Sequence, residues 1–140
     1  MKNLLAVILM TFSISALAHV GGHHQENIFT PKFGGTLAKV ENPSTNALIA
    51  ELAKDGEKGL FLFLYDRQMK LVTAKSTKAT VKGKITSGRG KRATIVDVKF
   101  KVSNDRFKLE LPKIKKRPYS IAIEVTQNGK ISNIKFENID

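Results

Sequence analysis

The 140-residue chain has no cysteine and no tryptophan, only three histidines, and half as many acidic residues as basic ones. Each shortage excludes a class of chemistry. Without cysteine there can be no disulfide scaffold, zinc knuckle, thiol redox centre or cysteine nucleophile. All three histidines fall within His19–His24, ahead of any patterned segment, so no Ser–His–Asp arrangement can be preorganised inside a fold. The twelve acidic residues are scattered, which leaves no evident carboxylate pair for glycoside hydrolysis. Enzyme chemistry is therefore not expected, and the residues point to a binding or scaffold protein. What is present is a hydrophobic content of 41%, enough for a packed core in a single domain. Twenty-four Lys+Arg give a formal net charge of +12 and a pI near 10, which favours polyanionic partners.

The first eighteen residues have the layout of a secretory signal peptide. Met1-Lys2-Asn3 is a short positive start, and Leu4 to Ile14 is an almost continuous apolar run. Ala16-Leu17-Ala18 then supplies small residues at the −3 and −1 positions. The run is shorter than the roughly 20 residues of a spanning helix, so no transmembrane segment is expected in the mature chain. No Cys follows the cleavage point, which argues against a lipoprotein. Cleavage after Ala18 implies a periplasmic or secreted protein, and intracellular nucleic acid then drops out as a partner. Residues 19–32 read as a flexible His-containing arm, and residues 33–140 as one domain.

From residue 33 onward the dominant period is two. Val81 and Ile85 alternate with Lys82 and Lys84, and Val96, Val98, Phe100 and Val102 with Asp97, Lys99 and Lys101. Phe107, Leu109 and Leu111 alternate with Arg106, Lys108 and Glu110, and Ile121, Ile123 and Val125 with Ser120, Ala122 and Glu124. Each pattern puts apolar groups on one face of a pleated strand. Leu60 to Tyr65 is apolar throughout, as suits a central strand covered on both faces. Asn46 to Ala53 is compatible with a helical turn or two, but beside the next apolar run it reads better as half of a hairpin. Asn42-Pro43, Asp55-Gly56, Ser87-Gly88-Arg89-Gly90, Asn104-Asp105 and Asn128-Gly129 break the runs; the last is the strongest type I′ hairpin signal. The expected fold is an all-β, antiparallel, Ig-like β-sandwich of about seven to nine short strands.

The charge is concentrated. Residues 67–118 hold seventeen basic and three acidic groups, a net of +14, while the flanking segments 19–66 and 119–140 are each slightly acidic. Lys82, Lys84, Lys99, Lys101, Arg106 and Lys108 fall at outward strand positions and are expected to form one basic sheet face. Lys113, Lys115, Lys116 and Arg117 add a basic loop. Such a face suits anionic envelope polymers, lipid head groups or an acidic protein partner, or it serves only to keep the protein soluble. Readers of single-stranded nucleic acid add exposed aromatics; here the phenylalanines are expected to alternate inward. Ser87-Gly88-Arg89-Gly90-Lys91 has a superficial likeness to a phosphate loop. It lacks the GxxxxGK[ST] spacing and lies between two strands, so a tight hairpin turn is the expected structure.

His19, His23 and His24 are the candidate metal ligands. With cleavage after Ala18, His19 becomes the first residue, and its α-amine and imidazole can chelate one ion while His23 or His24 closes the site. A nitrogen-rich set of this kind suits copper, nickel or zinc.

Phe33-Gly34-Gly35-Thr36-Leu37, Leu48 to Leu52, and Leu60 to Asp66 resemble segments of a family of small periplasmic β-sandwich proteins. Those proteins share a signal peptide, a His-rich arm, an HGG segment, an ELV strand and a "lYlyD.dgk" strand, and are often encoded beside heavy-metal efflux systems. Here Gly34 and Gly35, Glu51-Leu52 and Tyr65-Asp66 match. Phe33 stands where the family has the His of HGG, and the family's His ahead of Glu-Leu has no counterpart. The resemblance implies a β-sandwich and metal-efflux components as partners. The two departures leave the arm histidines as the remaining ligands.

Overall fold

The computed structural model describes residues 29–44, 46–114 and 117–140. The expected leader, its cleavage point and His19, His23 and His24 lie outside the described residues. Among the described residues, alternation of apolar and polar residues is realised as nine strands: β1 (Thr36–Lys39), β2 (Ile49–Asp55), β3 (Gly59–Tyr65), β4 (Thr80–Ser87), β5 (Thr94–Lys99), β6 (Lys101–Ser103), β7 (Arg106–Glu110), β8 (Tyr119–Gln127) and β9 (Lys130–Ile139). One helical turn, α1 (Ala74–Thr77), precedes β4 and was not foreshadowed by any period. Thr73 caps it, donating through its hydroxyl to Ser76 and accepting from the Ser76 amide.

The strands form two antiparallel sheets, one ordered β1-β2-β3-β7-β6 and the other β5-β4-β8-β9. This is the expected all-β sandwich. Its core is the filling between the sheets: Leu60, Leu62 and Leu64 of β3 and Phe107 and Leu109 of β7 meet Val81, Ile85, Ile121, Ile123, Ile134 and Phe136 of the four-stranded sheet. Asn128 and Gly129 both have positive φ, 50° and 74°, and join Gln127 to its partner Lys130 in a two-residue turn, as the Asn-Gly signal demands. The hairpin of β2 and β3 also forms, with Asp55 opposite Gly59. Between β4 and β5 the connection is wider than a tight turn. It includes a 3₁₀ turn at Gly90–Arg92.

Two features join the sheets at their sides. On one side the Glu41 and Asn133 backbones exchange hydrogen bonds of 2.8 and 2.9 Å. On the other the chain leaves the four-stranded sheet at Lys99 and enters the five-stranded sheet at Lys101. Phe100 is the pivot; its ring is buried, and its amide donates to the Val81 carbonyl. Val102, expected inward, sits opposite Phe107 but is 52% exposed, because the three-residue edge strand β6 carries it past the cover of the other sheet. Among the described residues no helix is long and apolar enough to cross a membrane.

Candidate functional site

The residues that the sequence singled out as one basic face are divided between two. Lys82 and Lys84 of β4 and Lys99 of β5 lie on the outer surface of the four-stranded sheet, where Lys82 stands opposite Lys99 and Lys84 opposite Asp97. Lys101, Arg106 and Lys108 lie on the outer surface of the five-stranded sheet, where Lys101 stands opposite Lys108. All six point outward, as a period of two requires. The pivot at Phe100 puts Lys99 and Lys101 in different sheets, which divides the expected single sheet face, although Lys99, Lys101 and Lys108 still line one hollow of about 490 Å³ at the open edge between the sheets.

The two surfaces differ chemically. Around Ala122 on the four-stranded sheet is a shallow hollow of about 390 Å³. Lys82, Lys84 and Lys135 share it with Glu41, Asp97 and Glu124. Positive charge there is diluted by carboxylates.

On the five-stranded sheet the cations lie among aromatic rings. The Arg106 guanidinium is 4.9 Å from the Phe61 ring centre and 5.3 Å from that of Phe63, and the Lys108 ammonium is 5.7 Å from Phe61. Phe33 stacks on Phe63 at 4.0 Å and is itself 51% exposed. The expectation that the phenylalanines turn inward therefore fails for Phe33, Phe61 and Phe63. In β3 the odd-numbered residues take the outer face, and the continuous apolar run Leu60 to Tyr65 feeds rings to one side and leucines to the other. Coverage of both faces, by contrast, is as expected.

Beneath this surface is a carboxylate with no exposure at all. Glu51 accepts hydrogen bonds from the backbone amides of Lys32 (3.0 Å), Phe33 (2.8 Å) and Gly35 (2.9 Å), and from the Tyr65 hydroxyl (2.7 Å). Successive amides around a left-handed residue form a concave anion cradle, and Gly34, with φ of 68°, supplies that residue. Gly35 has a different reason: a Cβ there would collide with the Leu52 carbonyl and lie 2.9 Å from the Glu51 Cγ. Burial alone would raise the Glu51 pKa. The Gly35 amide, the Tyr65 hydroxyl and the Phe33 and Lys32 amides together outweigh burial and hold it below the usual glutamate value. Burial and the Glu51 carboxylate push the Tyr65 phenol far up, so it stays a donor.

The three segments quoted for the family resemblance thus meet at one carboxylate. Gly-Gly wraps it, Glu-Leu carries it, and the tyrosine of Tyr65-Asp66 donates to it. Phe29 and Lys32, counted with the arm in the sequence, also lie on this sheet, Phe29 against the outer cluster and Lys32 in the cradle. Asp66 serves the next turn, accepting from the amides of Gln68 and Lys70. No periodicity rule marks Glu51. The available signal was its position: an acid inside an otherwise apolar strand, Leu48 to Ala53, that needs a partner for its charge.

Fold and geometry define a β-sandwich with one cationic–aromatic outer surface, tied to its N-terminal segment by a buried glutamate. Comparison with protein-family models, with characterised proteins and with solved structures finds no match. Among the described residues no group of three or more His, Cys, Asp or Glu side chains could hold a metal ion.

Proposed function

We propose that the protein is a non-enzymatic binding module of the periplasm or extracellular space, delivered by residues 1–18, that docks on anionic envelope polymers. The observation that carries this reading is the surface where Arg106 and Lys108 lie against Phe61 and Phe63, with Phe33 stacked on Phe63 and Lys101 across from Lys108 on the edge strand. The Arg106 guanidinium lies within cation–π distance of both rings, and an arginine so placed still has N–H donors for an anion. Lys101 and Lys108 are direct cross-strand neighbours of like charge, an unfavourable pairing that a bound anion relieves. Lys108 contacts Asp55 at 3.1 Å, so part of its charge is already matched.

Binding to heparin or lipopolysaccharide is expected to weaken steeply with salt. The double variant Lys101→Glu/Arg106→Glu should lose at least tenfold in affinity at low salt, while Lys82→Glu/Lys84→Glu, on the mixed-charge surface, should lose about threefold or less. Circular dichroism checks that both remain folded. Equal losses in the two variants would reject this surface as the docking site.

A second reading concerns the arm. Phe33 stands where the family that the chain resembles has a histidine and is stacked on Phe63, so ligands for copper, nickel or zinc are proposed to be His19, His23 and His24, with metal-efflux components as partners. Titration of Cu(II) into the protein beginning at His19, and into the variant with all three histidines changed to Ala, should give at least a hundredfold difference in affinity. Equal affinities end this reading.

A further inference from the structure

The chain uses lysine for nineteen of its twenty-four cations and arginine for five, and three of the five arginines line one hollow. Arg89 comes from the β4–β5 connection, Arg92 from its 3₁₀ turn, and Arg117 from the entry to β8. The hollow measures about 760 Å³ and is walled also by Thr86, Ser120 and Asn138. Gly88 and Gly90, with φ of 88° and 57°, flank Arg89 and set the path of the connection. This is the Ser-Gly-Arg-Gly-Lys segment whose sequence lacks phosphate-loop spacing. Folding gives it a different role.

Among the described residues none of the three arginines has a carboxylate within 4.0 Å, and the ion pairs are those of Lys108 with Asp55 and Lys135 with Glu137. Among the described residues Glu137 is the only acid in the hollow's wall, and it pairs with Lys135 at 2.6 Å. The Arg117 guanidinium lies 5.9 Å from the centre of the buried Tyr119 ring. Three guanidinium groups around one hollow repel each other unless an anion sits between them. Their planar forks match the oxygen spacing of a tetrahedral oxyanion, and the Thr86 and Ser120 hydroxyls and the Asn138 amide add neutral donors.

We infer that this hollow is a binding site for a phosphoryl group, taken as free phosphate or as a phosphate monoester. The volume falls within the range of small-molecule sites, about 300–1,000 Å³, which leaves room for the organic part of an ester. The inference does not depend on the cationic–aromatic surface, which contains none of these residues.

Amide chemical-shift titration of the whole protein at constant ionic strength tests it, with three probes: inorganic phosphate, glucose 6-phosphate and glucose. Phosphate and glucose 6-phosphate should shift the amides of residues 86–92, Arg117, Tyr119 and Ser120, and glucose should not. Tighter binding of glucose 6-phosphate identifies the ester as the preferred source, and equal binding identifies the free ion. Arg89→Gln/Arg117→Gln should weaken phosphate binding at least tenfold. Arg117→Lys, which keeps the charge but loses the fork, should weaken it about threefold or more. Lys82→Gln/Lys84→Gln, with the same loss of charge elsewhere, should leave it within twofold. Absence of saturable shifts with either phosphate probe, or equal weakening by the lysine and arginine double variants, overturns the inference.

Discussion

Replacing Glu51 with Ala is expected to lower folding stability by about 3–4 kcal/mol, measured by urea denaturation followed by circular dichroism. The change strands the Tyr65 hydroxyl and the Gly35 amide beneath the sheet surface, and an unpaired buried donor costs about 1–3 kcal/mol. The Lys32 and Phe33 amides belong to exposed residues and can find water, so they add less. Glu51→Gln separates charge from shape. Its carbonyl can keep the Phe33 and Gly35 amides while the Tyr65 hydroxyl rotates to accept from its NH₂. The Lys32 amide then loses its acceptor, and the expected cost is about 1–2 kcal/mol.

The pH dependence has a definite sign. Because the folded protein holds the Glu51 pKa below its ordinary value of 4.5, the carboxylate's contribution is complete above that value. It is lost as pH falls through the lower folded value. The protein should therefore lose stability on acidification below about pH 4.5, and Glu51→Gln should flatten that limb. An unchanged acid limb in the variant would show that other carboxylates govern it. Loss of the cradle also frees the segment around Phe33, so limited proteolysis should cut Glu51→Ala near residues 29–35 well before the parent protein.

Phe100→Ala should cost about 3–5 kcal/mol, within the range for removing a buried phenylalanine from a core. This ring packs in the main core at the point where the chain crosses between sheets. The cavity left by its loss lies between the last residue of β5 and the first of β6, so the two short edge strands should exchange their amide hydrogens sooner than β3 or β8. A loss below about 1 kcal/mol in urea denaturation would mean that the crossing is held by backbone pairing alone. Phe100→Leu, which keeps most of the apolar volume, should recover more than half of the stability.

Much of the sandwich was legible in the sequence because its determinants are local. Alternation at Val81–Ile85, Phe107–Leu111 and Ile121–Val125 places each side chain on one of two faces, whatever the strand pairs with. Asn128-Gly129 satisfies its turn without outside help, since two residues with positive φ are what the connection requires. The continuous apolar run Leu60 to Tyr65 announced a strand covered on both sides, and both covers are present. α1 escaped notice because a single turn shows no helical period.

The tertiary structure decided how these local choices combine. Lys99 and Lys101 are both outward by period, but only the crossing at Phe100 determines that they face outward from different sheets. The sequence therefore set the sign and amount of basic charge on the strands, and the fold divided it into a mixed surface and a cationic–aromatic one. Glu51 in the same way is an isolated acid until the chain folds. Its partners are 14 to 19 residues away, on either side of it, and three of them are backbone amides that no composition or spacing displays. Arg89, Arg92 and Arg117 belong to two connections, one on each flank of the stretch β5 to β7, and become one site only where the ends of β4, β8 and β9 meet. Period and turn chemistry act over a few residues, so they fix faces and bends. Which faces meet depends on contacts between distant residues, and only the packed sandwich supplies those.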